Sequence, residues 1–214
     1  MSVNRFHAFG EGLTLPAPER LTYLPMDHPN HAFAESVWSS FRQMAKISDD
    51  ALLGLDAWPI NLREDPDRIC IGPCSVVRGV IRVERDGEVH IADHCYIGDD
   101  TILSAHLGIV IEPDVLIAHG CQIFDNVTHP IDATDRAAHY RSILAGQSYD
   151  GHISAAPILI EHNAWIGMNS IIMRGVRIGA RSIVAAGSVV IDDVPPDTTV
   201  AGNPAHPVGR QGGP

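Results

Sequence analysis

The sequence has few aromatic residues, no long apolar run and no excess of basic charge. Phe, Trp and Tyr together make up 6% of its 214 residues. No stretch approaches the roughly 20 consecutive apolar residues that a membrane-spanning helix needs, so no membrane insertion is expected. The first residues, MSVNRFHAFGEG, lack the apolar segment of a secretory signal, and this predicts a cytoplasmic protein.

Charge and cysteine content exclude further classes of protein. The net charge of −11 argues against nucleic acid as a partner, because phosphate binding needs a basic surface. The four cysteines, Cys70, Cys74, Cys95 and Cys121, form no CxxC pair. We interpret them as reduced structural thiols, with neither a disulfide nor a metal role.

A strict period of six runs from residue 160 to residue 191. Aliphatic residues fall at every sixth position of this stretch: Ile160, Ile166, Ile172, Ile178, Val184 and Val190. This period fits neither a helix nor a plain strand. It is typical of a hexapeptide-repeat parallel β-helix, in which three short strands form one triangular coil and the coils must stack to bury their aliphatic face. The predicted fold is therefore mainly β.

The rest of the chain divides around this repeat. Residues 1–65 are predicted as an irregular arm followed by short helices, one over 31–47, capped by Asp27 or Asn30, and a second near 49–55. Residues 66–205 are predicted as the β-helix, and residues 206–214 as a flexible tail. The repeat is interrupted once, at 129–157, where a long polar loop is expected to protrude. Loops of this length inside a compact array are more often functional than not.

His129 lies where the repeat gives way to this loop, and it is the candidate general base. Its imidazole would be fixed at one end yet open to solvent, and histidine is the side chain most often used as a general base at neutral pH. Asp125, Asn126 and Asp132 surround it in sequence and are predicted to contact an acceptor. The loop itself is expected to select that acceptor. The twelve histidines of the chain do not form a recognised set of metal ligands, and no metal is expected.

Two segments carry a resemblance to a known family. They are NVTHP (126–130) and WIGMNSIIMRGVRIGARSIVAAGSVVIDDVPPDTTVAGNPA (165–205). Together they resemble the maltose/galactoside/virginiamycin branch of the hexapeptide-repeat acetyltransferases, over about residues 90–205. The resemblance implies a homotrimer of left-handed β-helices, with acetyl-CoA lying in clefts between neighbouring prisms.

The same resemblance implies roles for individual residues. His129 matches the catalytic histidine of the family, which takes the proton of an acceptor hydroxyl as that oxygen attacks the thioester. The expected cofactor-binding residues are Trp165, Gly167, Met168, Ala185 and Ala186. The implied function is CoA-dependent O-acetylation of a saccharide or a related small acceptor.

One departure concerns the phosphates of CoA. Family members commonly carry Thr-Lys just before the Asp-Val-Pro-Pro stop, but this chain has Ile191-Asp192 there, and a carboxylate repels phosphate. The alternative cations are Arg174, Arg177, Arg181 and Arg210, among which the sequence does not choose.

Three other functions fit the same scaffold. An amino-sugar N-acetyltransferase would use the same histidine base. A carbonic anhydrase of the gamma class is suggested by His119-Gly120-Cys121, although Asp114 stands where that class carries a further histidine. The third is a non-catalytic β-helix used for binding.

Overall fold

The computed structural model describes residues 31–210. It begins with a helix, α1, at His31–Met44. The strands follow in chain order: β1 Lys46–Ile47, β2 Leu52–Leu53, β3 Trp58–Asn61, β4 Ile69–Ile71, β5 Val76–Val77, β6 Val80–Val83, β7 Val89–Ile91, β8 Tyr96–Ile97, β9 Ile102–Ala105, β10 Ile109–Ile111, β11 Leu116–Ile117, β12 Gln122–Phe124, β13 Ile158–Ile160, β14 Trp165–Ile166, β15 Ile171–Ile172, β16 Arg177–Ile178, β17 Ile183–Val184, β18 Val189–Val190, β19 Thr198–Gly202 and β20 Ala205–Arg210. A second helix, α2, spans Ala133–Leu144 between β12 and β13, and a short 3₁₀ helix spans Pro66–Arg68.

These strands form the three faces of a left-handed parallel β-helix, as the sequence predicts. The first face has the order β1-β4-β7-β10-β13-β16, and the second has β2-β5-β8-β11-β14-β17-β19-β20. The third face has β3-β6-β9-β12-β15-β18. Each strand up to β15, and β17 as well, therefore pairs with the strand one coil further along the chain. Among the strand pairs within residues 31–210, only β19 and β20 are antiparallel.

The period of six explains both the pairing and the core. In the regular part, Ile160 pairs with Ile178, 18 residues later, because three repeats make one coil. The aliphatic residue of every repeat points into the prism, so that Ile160, Ile166 and Ile172 are all fully buried. Short polar residues share the interior; Ser170 and Ser182 are fully buried and donate their hydroxyls to backbone carbonyls. Burial of stacked aliphatic side chains is the main force that holds the coils together.

The corners of the prism use left-handed backbone at matching heights of successive coils. Asp114, Asn163 and Arg181 have φ of 62°, 59° and 58°. The amide of each donates to a carbonyl of the preceding corner; for example, Asn163 N donates to Pro113 O at 3.1 Å. The corners are therefore bonded from coil to coil like the strands, and this keeps the prism straight.

The β-helix begins earlier than predicted. The segment 49–55 was expected to be a helix, but it contains β2, and β1 to β3 form a complete first coil. The predicted helix over 31–47 ends at Met44 instead, and its proposed caps lie outside the described residues. The core positions of this coil are Ile47, Leu53 and Pro59, six residues apart, which pair with Ile71, Val77 and Ile81 of the next coil. A proline at one of these positions, and the buried small residues Ala45, Ala51 and Ala57 between them, conceal the repeat in the sequence.

α1 packs across this first coil. Ala34, Val37, Trp38 and Phe41 form its buried side, and Trp38 Nε1 donates to Gly54 O at 3.3 Å. None of the helices within residues 31–210 is long and apolar enough to cross a membrane.

Two further segments differ from the sequence-based expectation. The long loop contains a helix of three turns, α2, which a search for sixfold repeats could not detect. The predicted tail begins with a strand, because Ala205–Arg210 adds to the edge of the second face beside Thr198–Gly202. An unpaired sheet edge readily accepts another strand.

The close stacking of the coils predicts which glycines can be replaced. A Cβ on Gly98 would lie 2.7 Å from both Ala118 C and His119 N, which are backbone atoms of the next coil. At Gly108 the nearest atom would be Pro157 Cβ at 4.0 Å. We expect Gly98→Ala to cost about 1–3 kcal/mol of stability and to lower Tm by several degrees, whereas Gly108→Ala changes Tm little. Equal melting temperatures of the two variants would contradict the stacking argument.

Candidate active site

The chain leaves the prism at the end of β12, and His129 follows a short turn that is held by hydrogen bonds. Thr128 before it has a left-handed φ of 58°, and the amide of Thr128 donates to Asn126 Oδ1 at 2.9 Å. His129 itself is exposed, and its amide donates to Val127 O. The backbone just before it is tied to the returning end of the loop, since Ala156 N donates to Asp125 O at 2.8 Å and Val127 N donates to Ser154 O at 3.1 Å. The imidazole therefore projects into solvent from a rigid base, as predicted.

Asp125 contacts neither this imidazole nor the solvent. Its side chain is fully buried, and its oxygens accept four hydrogen bonds. Oδ1 accepts from His106 N at 2.8 Å and from Asn126 Nδ2 at 3.1 Å. Oδ2 accepts from Leu107 N and Gly108 N, both at 2.7 Å. A carboxylate with this many donors anchors the backbone at the base of the loop, so its predicted role as an acceptor contact is corrected to a structural one.

Asn126 and Asp132 also have structural roles. Asn126 is buried, and besides holding Thr128 its amide nitrogen donates to Ser104 O at 3.3 Å. Asp132 is the N-cap of α2, where Oδ1 accepts from Thr134 N and Asp135 N at 2.8 and 3.0 Å. Those bonds lower the pKa of the Asp132 carboxyl. Capping satisfies amides that the first helical turn leaves unpaired.

One aromatic ring of the loop lies beside His129 and a second ring packs against the first, and sequence analysis gave neither of them a role. His139 Nδ1 is 3.1 Å from His129 Nδ1, and the ring centroids are 4.9 Å apart. The His139 ring also packs on Tyr149, with ring centroids 4.6 Å apart at an angle of 32°. Arg85 fixes this stack to the prism by donating to Tyr149 O at 3.2 Å and Gly151 O at 3.1 Å. Only folding of the loop brings these residues together.

The buried side chain of His106 contacts Glu84 at the same corner of the prism. His106 is 5% exposed, and its Nε2 lies 3.1 Å from Glu84 Oε2. This contact, assisted by Arg82, lowers the pKa of Glu84 to about 2. Glu84 is therefore ionised at neutral pH and can hold the His106 ring through its Nε2 proton.

The expected cofactor-binding residues lie at a different corner of the prism. Trp165 on β14 and Met168 after it are 50% and 52% exposed. Ala186 follows one coil later and is exposed, whereas Ala185 is half-buried. Gly167 lies against the next coil, because a Cβ there would be 2.6 Å from Ala186 N. Together these residues form a narrow apolar strip along the corner between the second and third faces, whereas His129 lies at the corner between the third and first faces.

Metal-binding residues do not gather in the part of the chain that the structure describes: no group of three or more His, Cys, Asp or Glu side chains lies close enough to hold an ion. His119 and Cys121 are separated by the prism wall, since the Cys121 side chain is fully buried and the His119 side chain is 50% exposed. Burial raises the pKa of the Cys121 thiol, which disfavours the thiolate that a metal would need.

Comparison with known proteins decides the family. A family model described as bacterial transferase hexapeptide (six repeats) matches residues 157–192. A protein of Saccharomyces cerevisiae, provisionally named an acetyltransferase, is 32% identical over 147 residues, which cover 67% of this chain and 68% of the relative. The chain belongs to the hexapeptide-repeat acetyltransferases. This confirms the resemblance read from the two sequence segments and identifies the protein as an acyltransferase.

Other relatives of this acetyltransferase share shorter segments. The galactoside O-acetyltransferase of Escherichia coli is 34% identical over 111 residues, 52% of this chain and 51% of that enzyme. A tetrahydropyridine-dicarboxylate N-acetyltransferase of Staphylococcus aureus is 54% identical over 52 residues, 24% of this chain and 22% of the relative. The chain therefore spans about half the length of the first of these enzymes and about a fifth of the second.

Among solved structures, a hexapeptide-repeat acetyltransferase of Vibrio cholerae, complexed with acetyl-CoA, is similar to this acetyltransferase. It is 25% identical, with a TM-score of 0.50, over 88% of this chain and 80% of that one.

The buried carboxylate of Asp125 leads to a stability prediction. Asp125→Ala removes the acceptor of three backbone amides, and we expect a loss of about 3 kcal/mol or more, since each unsatisfied buried donor costs about 1–3 kcal/mol. Asp150→Ala, at an exposed position of the loop, is the matched control and should stay within about 0.5 kcal/mol of the parent. Chemical denaturation of the two variants measures the difference. An Asp125→Ala protein as stable as the control would show that the carboxylate is not an anchor.

Proposed function

We propose that the chain transfers an acetyl group from acetyl-CoA to a hydroxyl of a saccharide or a related small acceptor, with His129 as the general base. The observation that carries this proposal is the exposed imidazole of His129 at the base of a folded loop, in a member of an acetyltransferase family. The acetyl-CoA complex of the Vibrio cholerae protein supports the donor. The galactoside O-acetyltransferase supports a hydroxyl acceptor.

The proposed reaction is a direct transfer without an acyl-enzyme. His129 takes the proton of the acceptor hydroxyl while that oxygen attacks the thioester carbonyl, and the tetrahedral intermediate then expels the CoA thiolate. His129 returns the proton to this thiolate, so that no net charge accumulates on the protein. The amide of Met168 is our candidate donor to the oxyanion. It makes no hydrogen bond within residues 31–210, and it adjoins the exposed strip.

The positions of His129 and this strip support a homotrimer. They lie at different corners of one prism, so a single chain does not bring the candidate base and the apolar strip together. When prisms pack side by side, the His129 corner of one faces the Trp165 corner of its neighbour, and the cleft between them contains both. Leu116 and Trp165, paired on β11 and β14, are each 50% exposed and would be covered by such packing.

Arg174 is the cation that we propose for the CoA phosphates. Ile172 pairs with Val190, which places Arg174 one coil above Asp192, beside the position where the family commonly carries lysine. Arg177 and Arg181 are already paired with Glu161 and Asp197. Arg174 has no carboxylate partner among the described residues, and the side chain of Arg210 lies outside them.

A second candidate, N-acetylation of an amino sugar or similar amine, is favoured by the short, highly similar segment shared with the Staphylococcus aureus N-acetyltransferase. The two candidates differ only in the nucleophile, since both use a histidine base. An acceptor panel that pairs each sugar with its amino analogue distinguishes them. The cytoplasmic location stays a prediction from the sequence.

The direct test is release of free thiol from acetyl-CoA in the presence of sugars, nucleotide-sugars and their amino analogues. We expect His129→Ala to lower kcat by roughly 10²–10⁴-fold, the usual contribution of a general base, with little change in KM for acetyl-CoA. His90→Ala is the control, because His90 lies on the first face beside Glu88. Wild-type protein that neither binds nor turns over acetyl-CoA would refute the proposal.

The phosphate contact is tested by Arg174→Ala. Removing a charged contact to phosphate should raise KM for acetyl-CoA about 10- to 150-fold, which corresponds to roughly 1.5–3 kcal/mol for a charged hydrogen bond, and leave kcat nearly unchanged. Arg181→Ala removes an equal charge from an existing ion pair and should have a much smaller effect on KM. KM values that change equally in both variants would show only a general effect of net charge.

A further inference from the structure

The ring contact between His129 and His139 requires a particular placement of protons. The two Nδ1 atoms are 3.1 Å apart, so one must carry a proton and the other must accept it. A neutral imidazole carries its proton on only one nitrogen. If His129 donates through Nδ1, its Nε2 has a free lone pair and can act as a base; if it accepts there, Nε2 is protonated and cannot.

Burial of His139 allows the first arrangement. His139 is 9% exposed, is the one buried residue of α2, and packs against the Tyr149 ring. The burial lowers the pKa of His139, and the neighbouring His129 and Arg85 lower it further. Of the other charged groups nearby, His106 acts in the same direction and only Glu84 opposes. A protonated His139 would be a donor at both nitrogens, whereas the neutral ring can accept at Nδ1, and it must do so whenever His129 is an imidazolium.

We propose that His139 is a positioning residue that keeps the proton of neutral His129 on Nδ1 and so leaves His129 Nε2 free to act as the base. The inference rests on the proposed function, in which His129 accepts the proton of the acceptor. During that step His129 becomes an imidazolium, and its Nδ1 proton then makes a charge-assisted hydrogen bond to His139, which stabilises the cation. His139 touches no reacting atom.

Three features of the fold hold His139 in place. Asp132 caps the helix that carries it, and the Tyr149 ring packs against its ring. Arg85 in turn ties the backbone of Tyr149 to the prism. The hydroxyl of Ser142 also donates to His139 O at 2.7 Å. This arrangement gives the loop a role besides selection of the acceptor: it supplies the partner that sets the protonation of the base.

Two variants separate the hydrogen bond from the packing. His139→Phe keeps an aromatic ring against Tyr149 but has no acceptor. His139→Asn loses the ring, yet its amide oxygen can take the place of Nδ1. In the full chain, with ¹⁵N-labelled histidine and His129→Ala to assign the signal, NMR reports which nitrogen of His129 carries the proton. We expect Nδ1–H in the wild type and in His139→Asn, and Nε2–H or a mixture in His139→Phe. A wild-type His129 protonated on Nε2, or one unchanged in His139→Phe, would overturn the inference.

Kinetics supply a second readout. His139→Phe should lower kcat roughly 10- to 100-fold, the usual effect of losing a residue that orients a functional imidazole, with KM for acetyl-CoA changed less than about twofold. His139→Asn should recover most of kcat. Equal loss in both variants, in parallel with Tm, would mean that His139 serves packing alone and would overturn the inference.

The NMR result does not depend on turnover. If His129 shows the expected proton position but wild-type protein releases no thiol with any acceptor, the proposed function fails, and with it the catalytic purpose of the contact. If thiol is released and the proton position is wrong, only the role of His139 fails.

Discussion

The parallel ladder of hydrogen bonds between successive coils is the constraint on which the structure depends. Each strand has its neighbours fixed one coil before and one coil after, and each corner amide donates to the corner next to it. Because the coils are so close, a side chain at Gly98 or Gly167 would overlap backbone atoms. The prism is consequently rigid over its length, and it can hold groups at set heights along its corners without a large globular core.

The candidate site lies where the chain makes its longest excursion from the prism within residues 31–210, while the strand ladder continues beneath it. Between β12 and β13 the chain leaves the prism, and Asp125 accepts hydrogen bonds there from three backbone amides and from Asn126 Nδ2. His129 thereby starts from a fixed position although it is exposed. The loop then returns a ring, His139, to the histidine at its own start. The backbone anchored by Asp125 and the loop ring of His139 together restrain the His129 imidazole, which would otherwise rotate freely in solvent.

The sequence predicted the fold well because its signal is periodic. Every coil needs the same residue types at the same positions, so the period from Ile160 to Val190 revealed the architecture directly. The first coil was missed because proline stands at one of its three core positions, Ile47, Leu53 and Pro59. The alanines between these positions, Ala45, Ala51 and Ala57, are also good helix formers. The helix in the loop was missed because one amphipathic segment, used once, has no repeat against which to be recognised.

For the site, the sequence by itself determined the position of His129 and the family to which the chain belongs, since both depend on residues close together in the chain. Asp125, Asn126 and Asp132 are polar neighbours of His129 in sequence, and for that reason they were predicted to contact the acceptor. In the structure their side chains bind backbone groups instead, so closeness in sequence did not predict their role. Whether a carboxylate meets substrate or backbone amides depends on which way the chain turns. The tertiary structure alone decided that these side chains anchor the loop and that His139, ten residues further on, contacts the candidate base. The physical reason is that a hydrogen bond depends on distance and direction in space, which folding sets and sequence spacing does not.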